Sequence, residues 1–159
     1  MADNITPAAR ADMARALFLE GYGCTQSVLL AFSDLTGLDR DTAARLGSSF
    51  GGGMGRMREV CGAVSGALMV LGLICGYSDP TDKQGKNAHY ALVRDFAARY
   101  KAANGADSII CREILAGVPH TDGGIAEERT ADYYKKRPCP ELCALAARIT
   151  QEMLDGMRK

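Results

Sequence analysis

Apolar residues recur along this chain at the three-and-four spacing of helices, and no run of Val, Ile or Thr alternates for long enough to make a sheet. Thr6 before Pro7 reads as an N-cap with proline at the first helical position. It opens a helix that carries Met13 and Leu17 and stops at Gly21-Tyr22-Gly23. A second helix starts at Cys24, runs through Val28, Leu29, Ala31 and Phe32, and ends near Gly37. Asp39 caps a short helix over 40–46. A central helix is predicted over 57–76, where Gly62, Ala63, Gly66 and Ala67 form small-residue stripes that let a neighbour approach the backbone closely. After Asp79-Pro80, a helix over 82–103 stacks Ala88, Leu92, Phe96 and Tyr100 on one stripe and stops at Asn104-Gly105. Ser108 caps a short helix over 109–116, residues 118–129 read as a polar loop, and a last helix from Cys139-Pro140 carries Leu142, Ala146, Ile149 and Met153. The pattern predicts an all-α fold, a compact multi-helix bundle around a central Gly/Ala-rich helix, in a single domain over 1–159.

Charge narrows the function classes. Lys plus Arg and Asp plus Glu are 19 each, so no basic surface points to nucleic acid, and the absence of Trp argues against a base-stacking face. The N-terminal stretch lacks the apolar run of a secretory signal. The longest uncharged segment, 60–78, would span roughly 28 Å as a helix, borderline for a bilayer. Four of its residues are Gly, two are Cys, and Arg56, Arg58, Glu59 and Asp79 close in on it, so it reads as a buried helix and not as a membrane span. A cytoplasmic location is the expectation, and a homodimer is expected from the prevalence of two-fold oligomers, with the small-residue face packing within or between subunits.

Six cysteines are many for such a chain. Cys24, Cys61, Cys111 and Cys139 all fall at predicted helix starts, where unpaired amides and the helix dipole favour a thiolate or an anionic cluster. Arg112 beside Cys111 and Arg137 near Cys139 push the same way. Cys75 and Cys143 read as core filler, although Cys143, four residues past Cys139, has a rival reading as half of a local dithiol. The glycine stretch over 47–55 lacks the Gly-Lys-Ser/Thr ending of a P-loop, so it reads as a tight turn wrapping the thiol site. In it Gly52 and Gly53, with Gly62 on the central helix, are the candidate cofactor-binding glycines. His89 reads as a structural histidine, His120 as exposed, and Tyr133, Tyr134, Lys135 and Lys136 as a solvated edge or a lid.

Cys24 in GCTQS, FGGGMG over 50–55, CGAVSG over 61–66, Cys111 in CREILAG and Cys139 in CPEL follow one another in order. In this the chain resembles the redox-active proteins with a Cys…CGAxxG…Cys…Cys pattern, the C_GCAxxG_C_C family, over roughly 10–155. The resemblance implies a small helical protein whose characteristic cysteines are Cys24, Cys61, Cys111 and Cys139, acting with an unidentified redox partner, and an association with transporters, since such proteins are often encoded near transporter genes. A similar module in multihaem cytochromes implies an iron–sulfur cluster as the candidate cofactor. No Cys-x-x-Cys-His haem attachment is present here.

Three readings stay open. The four thiolates hold an iron–sulfur or other metal centre; or they cycle as thiol and disulfide, with Cys61 paired to Cys24 or Cys111; or the chain is a helical interaction module with inert buried thiols.

Overall fold

A computed structural model describes residues 4–158 of the chain. Among them the backbone is helical apart from one isolated antiparallel bridge, Val60 to Ile110. The helices are α1 (Pro7–Leu19), α2 (Cys24–Leu30), α3 (Ser33–Thr36), α4 (Arg40–Gly47), α5 (Gly51–Met54), α6 (Gly62–Cys75), α7 (Lys83–Ala103), α8 (Cys111–Ile114), α9 (Ala131–Lys136) and α10 (Cys139–Met157).

Two caps read from sequence form as expected: Thr6 Oγ1 accepts from the Ala9 amide at 3.1 Å and Asp39 Oδ1 from Thr42 at 2.8 Å. Asp82 Oδ1 also caps, accepting from Gly85 at 2.8 Å, whereas Ser108 does not cap its helix: its Oγ accepts from the Ile110 amide at 3.0 Å and α8 starts only at Cys111. The helix expected from Cys24 to near Gly37 is instead broken at Ala31-Phe32. Arg10 is the reason: its Nη1 donates to the Ala31 carbonyl at 2.7 Å, and the amides of Leu35 and Thr36 turn to the Phe32 carbonyl. The same buried guanidinium holds Asp34 at 2.6 Å and Gln151 at 3.0 Å, tying α1, α3 and α10 together.

The core forms where α1 packs along α10 and α2 along α6, with Phe18, Val28, Phe32, Val64, Val70, Leu71, Phe96 and Tyr100 fully buried. The small-residue stripe of α6 works within the chain. A Cβ on Gly62 would stand 2.9 Å from Cys24 Cβ, and one on Gly66 would stand 2.7 Å from the Thr25 carbonyl oxygen. These two glycines therefore set how close α2, and Cys24 at its first turn, lies to the central helix.

Burial of the central helix ends at Leu71. Leu73, Ile74 and Cys75 are exposed, and Cys75 Sγ only bonds back to the Leu71 carbonyl at 3.0 Å, so Cys75 is not core filler. Among the described residues no helix is long and apolar enough to cross a membrane. The short helix α9 lies in a stretch for which the sequence pattern predicts no helix.

Candidate functional site

Residues 47–61 build one wall of a cavity. The central helix starts five residues later than the periodicity predicts, because this stretch spends its length on left-handed backbone. Gly52 (φ 68°), Gly53 (φ 75°), Met54 (φ 68°), Gly55 (φ 58°), Arg56 (φ 64°) and Arg58 (φ 60°) all lie there. Glycine takes three of these six positions without steric cost, and Met54, Arg56 and Arg58 bear the strain of the rest. At Gly53 a close approach adds a further need for glycine: a Cβ would meet Glu59 N at 2.7 Å and the Cβ of Cys111 at 2.8 Å. The turn is thus folded directly onto Cys111. The bridge beside it stitches two cysteine segments together, Cys61 N donating to Ile109 O at 2.7 Å and Cys111 N to Glu59 O at 2.6 Å. Cys61 is the N-cap residue of α6, while Cys24, Cys111 and Cys139 are the first residues of α2, α8 and α10.

All four of these cysteines line one cavity of about 350 Å³, together with Gly52, Gly53, Gly62, Tyr133 and four arginines, Arg56, Arg58, Arg129 and Arg137. The spatial convergence expected from sequence is therefore present. Within it the thiols have different neighbours. Cys24 has Cys139 and Cys143 as its nearest thiol neighbours, close enough for each to shift its acidity. Cys61 Sγ lies 3.3 Å from the Tyr100 hydroxyl, and Cys111 Sγ accepts from Arg58 Nη1 at 3.8 Å. Cys143 is fully buried in the hydrophobic core behind the wall, as its core-filler reading expects, with its Sγ 3.8 Å from the Cys24 carbonyl oxygen. All six cysteines are free, and among the described residues no three His, Cys, Asp or Glu side chains are disposed to hold one metal ion.

Acidity follows burial and not the helix starts. The Cys139 hydrogen bond pulls the Cys24 thiol down, but the Cys143 hydrogen bond and burial outweigh it and leave Cys24 well above its ordinary value. Cys139 is raised by its hydrogen bond with Cys24 and by burial, against the lowering charges of Arg137 and Arg129. Burial lifts Cys61 from 9.0 to about 11, and lifts Cys111 despite the adjacent Arg58. For Cys143 the Cys24 hydrogen bond lowers and burial raises, with a net rise. The helix-start thiols are thus raised in pKa and not lowered as the dipoles would have it, because removal from water costs more than a terminal dipole returns.

The cationic groups differ from those expected. Arg112 pairs with Glu59 at 2.5 Å towards solvent, and Arg58 takes its place beside Cys111. Arg129 stacks 3.9 Å over Phe18 and donates to the carbonyls of Phe18 and Tyr22. Arg137 is buried and donates to Glu127 at 2.7 Å. Arg56 and Arg58 hold the polar loop down through the carbonyls of Thr121, Gly123 and Ile125. Tyr133 is a half-buried cavity wall and Tyr134 stacks edge-on to Phe18, so they form no solvated edge. His120 is also half-buried, with Nδ1 2.7 Å from the Val118 carbonyl. His89 packs edge-on to Tyr77, away from the thiols.

No curated protein and no solved structure matches this chain. The family model described as "Putative redox-active protein (C_GCAxxG_C_C)" matches residues 22–153, a span that holds all six cysteines. The cavity and its thiols are thus those of a member of the C_GCAxxG_C_C family of redox-active proteins, to which this chain belongs.

Proposed function

We propose that the protein is a dithiol redox protein in which Cys24 and Cys139 cycle between two thiols and a disulfide. One observation carries this reading: Cys24 and Cys139 line the same cavity as near neighbours, each the first influence on the other's acidity, and Cys24 is the least buried of the cysteines there. Cys24 is the attacking thiol in this scheme. Once its sulfur is bonded to an incoming oxidant, Cys24 carries no proton to share with Cys139, and the first cause of that thiol's raised pKa is gone, leaving burial. Arg137 and Arg129 then favour the Cys139 thiolate, which attacks Cys24 Sγ and completes the disulfide. Two electrons pass to the oxidant and two protons leave per disulfide formed. Cys143, in range of Cys24 but outside the cavity lining, is a reserve partner.

A second reading, a metal–sulfur centre held by Cys24, Cys61, Cys111 and Cys139, is favoured by the fact that all four line the same cavity. As disposed, they do not form a ligand set for one ion, and no step is derived through such a group. Anaerobic preparation followed by iron, sulfide and zinc analysis separates the two. Metal-free protein that loses two hydrogens in intact mass on mild oxidation, with the bond mapped to Cys24 and Cys139, supports the dithiol. Stoichiometric metal bound through these thiols overturns it.

A further inference from the structure

The cationic side of the cavity exceeds what the thiols require. Arg56, Arg58, Arg129 and Arg137 all line it, and the carboxylates facing them are Glu127, which touches Arg56, Arg58 and Arg137, and the largely exposed Asp122, 3.5 Å from Arg58 Nε. Four guanidiniums thus face two carboxylates, and one of those is mostly in water. Arg58 and Arg137 are each 7% exposed, and the Nε of each is buried without a hydrogen-bond partner. A buried guanidinium with an unused donor is costly, and a cavity holding two of them is built to take an anion. Glu127 shows which kind, since one carboxylate oxygen spans three of these arginines. The rest of the lining is apolar or glycine, including Ile114, Leu115 and Leu142, and the size suits a small organic molecule.

We propose that the cavity binds a low-molecular-weight disulfide bearing a carboxylate, its charge held by Arg58 and Arg137 and its sulfur–sulfur bond presented to Cys24. This identification of the oxidant rests on the dithiol reading above. Cys24 Sγ attacks one sulfur of the bound disulfide as its proton passes to the leaving sulfur, the S–S bond breaks, and one small thiol leaves. The Cys139 thiolate then attacks Cys24 Sγ and expels the second. One disulfide is reduced to two thiols, the protein is oxidised to the Cys24–Cys139 disulfide, and the two cysteine protons go to the departing thiolates.

The test uses the full chain, reduced, in a Cys75→Ser background that removes the exposed thiol. Its rate of oxidation is followed with the dianionic dithiobis(nitrobenzoate) and with the neutral dithiodipyridine. Arg58→Gln and Arg137→Gln are expected to slow the dianionic reagent by about tenfold, the worth of one charge-assisted hydrogen bond, with less than about a twofold change for the neutral one. Arg137→Lys should recover part of the loss. If the glutamine variants fail to fold, competition by nitrobenzoate in the otherwise unaltered protein gives the same readout: it should slow the dianionic reagent at concentrations that spare the rest of the protein's thiol chemistry. Equal slowing of both reagents, or no competition, overturns the anion subsite. Charge selectivity without a Cys24–Cys139 bond in the product sinks the dithiol reading and leaves the subsite standing.

Discussion

The position of Cys24 depends on two glycines of α6, and replacing one of them tests that dependence against an internal control. Gly66→Ala adds a methyl where the nearest atoms are the Thr25 carbonyl oxygen at 2.7 Å, Val28 Cβ at 3.0 Å and Thr25 Cα at 3.3 Å. Two of these are backbone atoms, so relief requires α2 to move as a body. Alanine in a helix interior gains about 1 kcal/mol over glycine, whereas forcing a methyl into closed packing costs ~1–3 kcal/mol or more, so the variant should lose about 1–2 kcal/mol net. Gly72→Ala, on the same helix, finds open space and should keep most of the propensity gain, ~0.5–1 kcal/mol. Urea unfolding of both variants should therefore place them about 2–3 kcal/mol apart, on opposite sides of the parent protein. Because α2 carries Cys24, Gly66→Ala should also slow formation of the Cys24–Cys139 disulfide, and Gly72→Ala should leave it unchanged. Two equally stabilised variants would refute the close approach of α2 to α6.

Further predictions follow from burial and charge. Cys61 is neutral in the folded protein up to about pH 11 against 9.0 unfolded, so the stability it contributes is whole below pH 9 and is lost as pH rises through 11, by about 3 kcal/mol for this thiol alone. Denaturant midpoints from pH 7 to 11 should show the fall, and Cys61→Ala should reduce it by this thiol's share. Asp34→Ala leaves the buried Arg10 without its carboxylate, and because Asp34 is one-third exposed the loss should be about 2 kcal/mol, below the ~3–5 kcal/mol of a fully buried pair. Alkylation of the native reduced protein should label Cys75 first, with the five other thiols reacting slowly near neutral pH and faster as pH rises, as mapped by peptide mass. A Cys111 that competes with Cys75 for the first label would contradict the burial described above.

Much of the frame was legible in the residues because it is locally encoded. Thr6-Pro7 and Asp39 cap helices through contacts three residues away, and the spacing of small residues on α6 records a close helix neighbour. The placement of Cys24, Cys61, Cys111 and Cys139 at or beside helix starts was legible for the same reason. What was not legible depends on partners distant in sequence. The break at Ala31 is made by Arg10, twenty-one residues earlier, and the late start of α6 by a bridge to Ile110. Protonation of the thiols is decided by enclosure, which helix-end logic does not see. Arg58 and Arg129 carry no local signature either. Arg58 reads as a charge flanking an apolar run and Arg129 as loop, yet folding turns both inward. The spacing of Cys143 to Cys139 suggests a local dithiol, but its sulfur lies instead against the Cys24 carbonyl oxygen, on another helix.

In the proposed dithiol the sulfurs of Cys24 and Cys139 are partners, and peptide mapping of the protein after oxidation under metal-free conditions reads that pairing without intermediaries. One dominant cross-linked peptide joining Cys24 to Cys139 is expected, abolished by Cys139→Ser and intact in Cys75→Ser. Oxidation that leaves Cys24 uncoupled, or that joins Cys61 to Cys111 instead, would contradict that pairing.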